Sequence, residues 1–258
     1  MGRRREPVYA AAIGAGRMLV GGVLRLRRTA TGLEHLPSTG GAVLAITHFG
    51  YLDFALTEWL VWGATRRRIL FLARKQSFDH PLAGPLLRGM SHIPVDKASG
   101  AQAYAAAVAA LQAGELVGVF PEAGVSASFT VRELKTGAVR MGAEAGVPVV
   151  PVVVWGGHLL STKGRKTTLS EAYRAPVAFA IGDPLLSDRA GPDNTADPVL
   201  RTEELRQRMQ SLLDQVQRDY PLPGAGRWWQ PLHLGGAAPS PAVAAEAEAE
   251  RQRRKALG

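Results

Sequence analysis

From Gly41 to Tyr220 the chain alternates short apolar runs with longer stretches of helical pattern, and that alternation limits the fold more than any other feature. Ala42–Thr47, Arg68–Ala73, Ser91–Val95, Leu116–Phe120, Pro148–Trp155 and Val177–Ile181 read as strands. Between them, Asp53–Trp62, Gln102–Gln112 and Leu134–Ala145 read as helices, the last two stopped by Gly114 and Gly146. A final helix over Glu203–Asp219 carries apolar residues at Leu205, Met209, Leu212, Leu213 and Val216. This order predicts an α/β domain: a mostly parallel central sheet flanked by helices.

In an open parallel sheet, reactive groups collect in loops beyond the carboxyl ends of the strands. Polar clusters follow apolar runs here at such positions. Ile46-Thr-His-Phe-Gly-Tyr-Leu-Asp53 puts His48 at a strand end and Asp53 five residues further on. On a regular helix that offset turns the two side chains apart. A loop entering a helix brings them together, with Gly50 to free the backbone. A neutral imidazole accepts a proton from an alcohol near neutral pH, and a carboxylate on its other nitrogen fixes the tautomer and stabilises the imidazolium. The plainer reading is a histidine capping a helix that an aspartate starts. Phe120-Pro-Glu-Ala-Gly-Val-Ser126 places Glu122 just past a strand that Pro121 ends, with Gly124 able to present backbone N–H groups to an anion. A tight turn with a solvated glutamate fits the same residues. Gly89-Met-Ser-His-Ile-Pro-Val-Asp-Lys97 ends in a lysine suited to phosphate, or to a surface ion pair with Asp96.

The formal net charge of +9 favours an anionic partner, either nucleic acid or anionic lipid. The sequence holds no zinc finger, RNA-binding aromatic signature or basic-region zipper, and its sparse aromatics are not interleaved with basic clusters. Nucleic acid is therefore the less favoured partner, and charge alone leaves the choice open. The absence of cysteine removes disulfides, thiolate metal sites and cysteine nucleophiles. Val8–Leu26 is apolar but broken by Arg17 and closed by Arg25, Arg27 and Arg28, a pattern that suits neither a membrane span nor a signal peptide. Leu19, Val23 and Leu26 at helical spacing beside those arginines suit a helix lying on an anionic membrane surface; a helix packed on its own domain fits equally. Ser187–Pro198 reads as a surface loop. Trp228-Trp229 reads either as an interfacial anchor or as a packed aromatic pair. Beyond Gly235 the chain is Ala/Glu/Pro-rich and ends in a basic cluster, the composition of a mobile tail or marginal helix.

Taken together, the clusters resemble the glycerolipid acyltransferase family, typified by the lysophosphatidic acid acyltransferases. The family's His-x4-Asp motif is matched by His48 and Asp53, and its glycine, apolar run and Asp-Arg resemble Gly89 to Lys97. Phe-Pro-Glu-Gly-Thr-Arg-Ser is matched at Phe120, Pro121, Glu122 and Ser126, and an apolar run around a proline resembles Val147–Val154. Gly32-Leu33-Glu34-His35-Leu36-Pro37 is similar to the family's lead-in, and the likeness spans Thr31 to Pro184. It implies an acyltransferase domain over 31–220, set between the segment 1–30, expected as a membrane-surface helix from its own pattern, and a C-terminal tail over 221–258, expected from its composition. It also implies a reaction without cofactor or metal: a fatty acyl group passes from acyl-CoA or acyl carrier protein to the free hydroxyl of lysophosphatidic acid, at the cytoplasmic face of the cell membrane. His48 would be the base and Asp53 its orienting carboxylate, with Glu122, Gly124, Ser126, Gly89, Lys97 and Lys75 binding substrate. Ala123, Gly124 and Val125 stand where the family has Gly-Thr-Arg, whose arginine is associated with the acceptor phosphate. Lys97, Lys75, Arg74 or Lys135 are the cations expected to replace it. A glycolipid acceptor, or a lipid-binding protein without catalysis, are the alternatives.

Overall fold

A computed structural model describes residues 7–81, 83–96, 100–186 and 197–257 of the chain. In chain order the elements are α1 (Pro7–Arg17), a π-helical segment (Met18–Val23), β1 (Arg27–Thr31), β2 (Ala42–Ile46), α2 (Asp53–Thr65), β3 (Ile69–Arg74), α3 (Lys75–Phe78) and α4 (Ala83–Gly89). There follow β4 (Ile93–Val95), α5 (Gly100–Gln112), β5 (Leu116–Val119), α6 (Gly137–Ala145), β6 (Val149–Trp155), α7 (Leu169–Ala172), β7 (Pro176–Ile181), α8 (Pro198–Arg218) and α9 (Pro241–Leu257). The strands form one sheet in the order β1-β7-β6-β2-β5-β3-β4. Its pairings are parallel except between β6 and β7, so the sheet is mixed but mostly parallel, as the alternation predicts.

Every residue of β2, β5 and β6 is buried, as expected of central strands covered on both faces. Side chains alternate between the faces. Val43 and Ala45 pack into one apolar layer with Val108 and Leu111 of α5, Met141 of α6 and Leu205, Met209 and Leu213 of α8. Ala42, Leu44 and Ile46 pack into the other with Leu56, Leu60 and Val61 of α2. The result is three layers with β2 at their centre, and β2 leads directly into the loop that carries His48.

The chain ends differ from the sequence reading in instructive ways. β1 begins at Arg27, where an arginine-closed helix is expected; it pairs only with β7, and its residues are mostly exposed. α1 docks on its own domain by burying Tyr9 and Ile13 against Met90 and Trp62. The segment after it exposes Met18, Leu19 and Val23, but Leu26, the third residue of the expected surface face, is buried in the apolar layer that holds Ala42, Leu44 and Ile46. Trp229 is buried and Trp228 half-buried: together with Phe129, Trp155, His158 and Tyr220 they form an aromatic cluster behind the β2 and β6 loops. They are a packed pair and not an exposed anchor. The tail is helical at α9 and touches the body where Glu248 pairs with Lys163. The loop expected at Ser187–Pro198 lies outside the described residues except for Asp197, which caps α8 by accepting the Val199 N–H at 2.8 Å, and Pro198, the first residue of that helix.

Candidate active site

β2 and β5 are adjacent and parallel, with Ala45 opposite Val119. On its other side β2 pairs with β6, with Ile46 opposite Val152. The loops leaving β2, β5 and β6 therefore emerge side by side at one edge of the sheet, with the His48 loop in the middle.

Asp53 opens α2 and is fully buried. One of its oxygens, Oδ2, accepts the N–H groups of Phe49 and Gly50, each at 2.7 Å, and lies 3.3 Å from His48 Nδ1. The intervening residues thus fold around a single carboxylate oxygen, which is how a five-residue offset brings imidazole and carboxylate together. Burial pushes the Asp53 carboxyl up, while the bonds from His48, Gly50 and Phe49 pull it back down. With Nδ1–H directed at Asp53, Nε2 is the nitrogen that offers a lone pair. The His48 side chain is 18% exposed, enough to meet a substrate, and its ring stacks on Phe120 at 4.2 Å between centroids.

Gly50 does not adopt a left-handed backbone, so the freedom expected of it is not what this position uses. A Cβ there would fall 2.6 Å from the Gly157 carbonyl carbon, and a Cβ on Gly157 would fall 2.2 Å from Asp53 Oδ1. The two glycines let the β6 loop lie directly against the His48 loop. Thr162 Oγ1 completes the contact by donating to the Phe49 carbonyl at 2.7 Å. Nothing in the sequence marks Gly157 as part of the site, because its partner is more than a hundred residues away.

On the β5 side, Glu122 is buried and both of its oxygens are occupied: Oε1 accepts the His48 backbone N–H and Oε2 the Arg132 backbone N–H, each at 3.1 Å. Burial pushes this carboxyl up to about 7, against the lowering effect of the two N–H donors and the Arg132 charge. Ser126 ties the same loop together. Its N–H donates to the His48 carbonyl at 2.8 Å and its hydroxyl to the Thr130 carbonyl at 2.9 Å. Ala123 sits at φ 55°, a left-handed conformation that favours glycine, and glycine is what the family motif carries at that place. Half-buried Gly124 follows, and the Arg132 guanidinium lies 3.3 Å from where its Cβ would be.

The structure thus gathers His48, Asp53, Glu122, Gly124 and Ser126. Lys75 begins α3 at the end of β3 and pairs with Asp96 at 3.2 Å, taking the partner that the sequence offers to Lys97, which lies outside the described residues. Gly89 faces away: a Cβ there would meet Val8 of α1 at 2.6 Å. Arg132, absent from the sequence reading, is a cation that borders the Phe120–Ser126 loop. Among the described residues no group of His, Cys, Asp and Glu is arranged to hold a metal ion.

A sequence model described as acyltransferase matches residues 27–155, which span β1 to the end of β6 and contain the whole His48 and Glu122 region. The chain belongs to the acyltransferase family and is an O-acyltransferase. Among its relatives, a 1-acyl-sn-glycerol-3-phosphate acyltransferase of Bacillus subtilis (strain 168) is 31% identical over 191 residues, covering 71% of this chain and 88% of the relative. A protein of the same description from Cocos nucifera is 26% identical over 57% of this chain and 46% of its own length. The crystal structure of the 1-acyl-sn-glycerophosphate acyltransferase PlsC from Thermotoga maritima shares the fold with a TM-score of 0.67, at 20% identity over 86% of each chain.

Proposed function

We propose that this enzyme acylates the free hydroxyl of lysophosphatidic acid to give phosphatidic acid, using acyl-CoA or acyl carrier protein as donor. The observation that carries the chemistry is His48 held on buried Asp53 with its ring still reachable from solvent. That curated relatives are named 1-acyl-sn-glycerol-3-phosphate acyltransferase supports lysophosphatidic acid as the acceptor.

In this reading the acceptor hydroxyl gives its proton to His48 Nε2 as its oxygen attacks the thioester carbonyl. The tetrahedral intermediate collapses, the C–S bond breaks, and the thiolate takes the proton back from Nε2. Asp53 keeps Nδ1–H in place and balances the transient imidazolium, so that no side-chain nucleophile, metal or prosthetic group enters the steps. Glu122 holds the His48 backbone from the side opposite Gly157.

The enzyme works at a membrane surface, since lysolipid and product both reside there. Among the described residues no helix is long and apolar enough to cross a membrane. Met18, Leu19 and Val23 are exposed beside the exposed Arg17, Arg25, Arg27 and Arg28, a combination suited to peripheral attachment to anionic lipid on the cytoplasmic face.

Purified protein is incubated with acyl-CoA or acyl carrier protein and with lysophosphatidic acid, a glycolipid or no acceptor, and products are identified by mass. Phosphatidic acid formed only with lysophosphatidic acid is the expected result. Acylation of the glycolipid in preference would move the acceptor elsewhere, and no product with any pair would favour a lipid-binding role.

A further inference from the structure

We infer that Arg132 is the specificity-determining cation of this enzyme, holding the phosphomonoester of the acceptor in place of the arginine missing at Val125; the inference rests on the lysophosphatidic acid reading. Val125 is buried and carries no charge. Arg132 is half-buried, and its guanidinium lies over Gly124 in the same loop, 3.3 Å from the position of a Cβ there. Any larger residue at 124 would crowd it, so the glycine and the arginine complement each other. Among the described residues the guanidinium has no ion pair and no side-chain hydrogen bond, and its charge acts on Glu122. An arginine half-buried beside a reactive loop with its fork unspent is suited to a phosphate, which it can bind in two-pronged fashion. Of the other cations that the sequence offers, Lys75 is exposed and paired with Asp96, Arg74 is exposed at the end of β3, and Lys135, exposed, touches the loop by donating its backbone N–H to the Pro121 carbonyl; Lys97 lies outside the described residues.

Position separates the acceptor phosphate from those of a CoA donor. Glu122 grips the backbone N–H groups of His48 and Arg132 with its two oxygens. The residue that takes the proton and the residue that carries the cation are thus held a carboxylate and two hydrogen bonds apart at their backbones. In lysophosphatidic acid the reacting hydroxyl and the phosphate sit on neighbouring carbons, which matches that short span. In acyl-CoA a long pantetheine arm separates the thioester from every phosphate. Ala123, left-handed at φ 55°, sets the turn that presents Gly124 to Arg132.

The test compares wild type, Arg132→Ala and Arg132→Lys. KM and kcat are measured for lysophosphatidic acid, for the phosphate-free acceptor monoacylglycerol and for the acyl-CoA donor, and binding of glycerol 3-phosphate is measured by calorimetry. Arg132→Ala is expected to raise KM for lysophosphatidic acid about tenfold to a hundredfold, the weight of a charged hydrogen bond. The donor KM and monoacylglycerol turnover should stay unchanged, glycerol 3-phosphate binding should be lost, and Arg132→Lys should restore part of it. An unchanged KM for lysophosphatidic acid, a rise confined to the donor KM, or an equal loss of kcat on both acceptors would overturn the inference. If wild type binds glycerol 3-phosphate through Arg132 yet does not turn over lysophosphatidic acid, the cation site stands and the acceptor reading falls. If wild type turns over lysophosphatidic acid and Arg132→Ala does so equally well, the reading stands and the site falls. If wild type does neither, both fall.

Discussion

Asp53 depends on a glycine from a distant loop. The Oδ1 atom of Asp53 has no hydrogen-bond partner among the described residues and lies against Gly157, where an added methyl would come within 2.2 Å of it. Gly157→Ala is therefore expected to push the carboxylate and, through Nδ1, to turn the His48 ring. A displacement of about an ångström at a proton-transfer site typically costs on the order of a hundredfold in rate. The expected outcome is a fall of that order in kcat with little change in KM and a native circular dichroism spectrum. Normal turnover would mean that the β6 loop does not set the dyad. At this scale the sequence was legible where partners are close in the chain. His48 and Asp53 stand out after a strand, but it is the joint resemblance of several motifs to the acyltransferase family, not their spacing alone, that pairs them. Gly157 and Arg132 do not stand out, because their relation to the dyad is made by strand pairing in one case and by a loop folding back on Glu122 in the other.

The way α1 is held to the body makes the stability of the fold depend on pH. The Tyr9 hydroxyl accepts the Ile69 N–H at 3.1 Å and shares a hydrogen bond with Glu58 of α2. On the other side of Glu58, His92 Nε2 lies 3.4 Å from its Oε1, while His92 Nδ1 accepts the Phe71 N–H. Burial pushes Glu58 up to about 8 and His92 down to about 4, so both side chains are neutral near pH 7. A carboxyl whose folded value is raised keeps its full contribution below its ordinary value of 4.5. It loses that contribution as pH climbs from there to about 8, on the order of 1 kcal/mol per pH unit. His92 acts in the opposite sense, losing stability as pH falls from 6.5 towards 4. Glu58→Gln removes only the first effect. Urea unfolding between pH 5 and pH 9 should show the variant with a flatter profile and greater stability than wild type at the alkaline end. Parallel profiles would show that Glu58 ionises as an ordinary carboxylate. Among elements, the central strands were legible as short continuous apolar runs, and α8 because its apolar residues recur at helical spacing. β1 was not: it is an edge strand of Arg, Thr and Ala that pairs by its backbone and buries almost nothing. α9 was ambiguous for a related reason, since an Ala/Glu-rich segment has helical propensity but little apolar surface to hold it against the body.

For the whole molecule, alternation of strand and helix was enough to predict a mostly parallel sheet, and the carboxyl edge of that sheet is where His48, Asp53 and Glu122 lie. The antiparallel β6–β7 pair and the aromatic cluster built from Phe129, Trp155 and Trp229 come from packing between distant segments, which no local pattern announces. In the proposed membrane attachment, the exposed Met18, Leu19 and Val23 and the neighbouring arginines meet the bilayer. Replacing Met18, Leu19 and Val23 by serine should leave thermal unfolding near wild type and reduce pelleting with anionic vesicles severalfold. Unchanged pelleting would place membrane contact elsewhere on the surface.

The measurement that bears most directly on the central claim is free thiol release from acyl-CoA by wild type and His48→Ala, each with and without lysophosphatidic acid. Wild type should show acceptor-dependent release, and the variant a loss of about a thousandfold or more, as removal of a positioned general base typically gives. Acceptor-dependent release at the wild-type rate in His48→Ala would contradict the claim, since proton removal would then belong to another group.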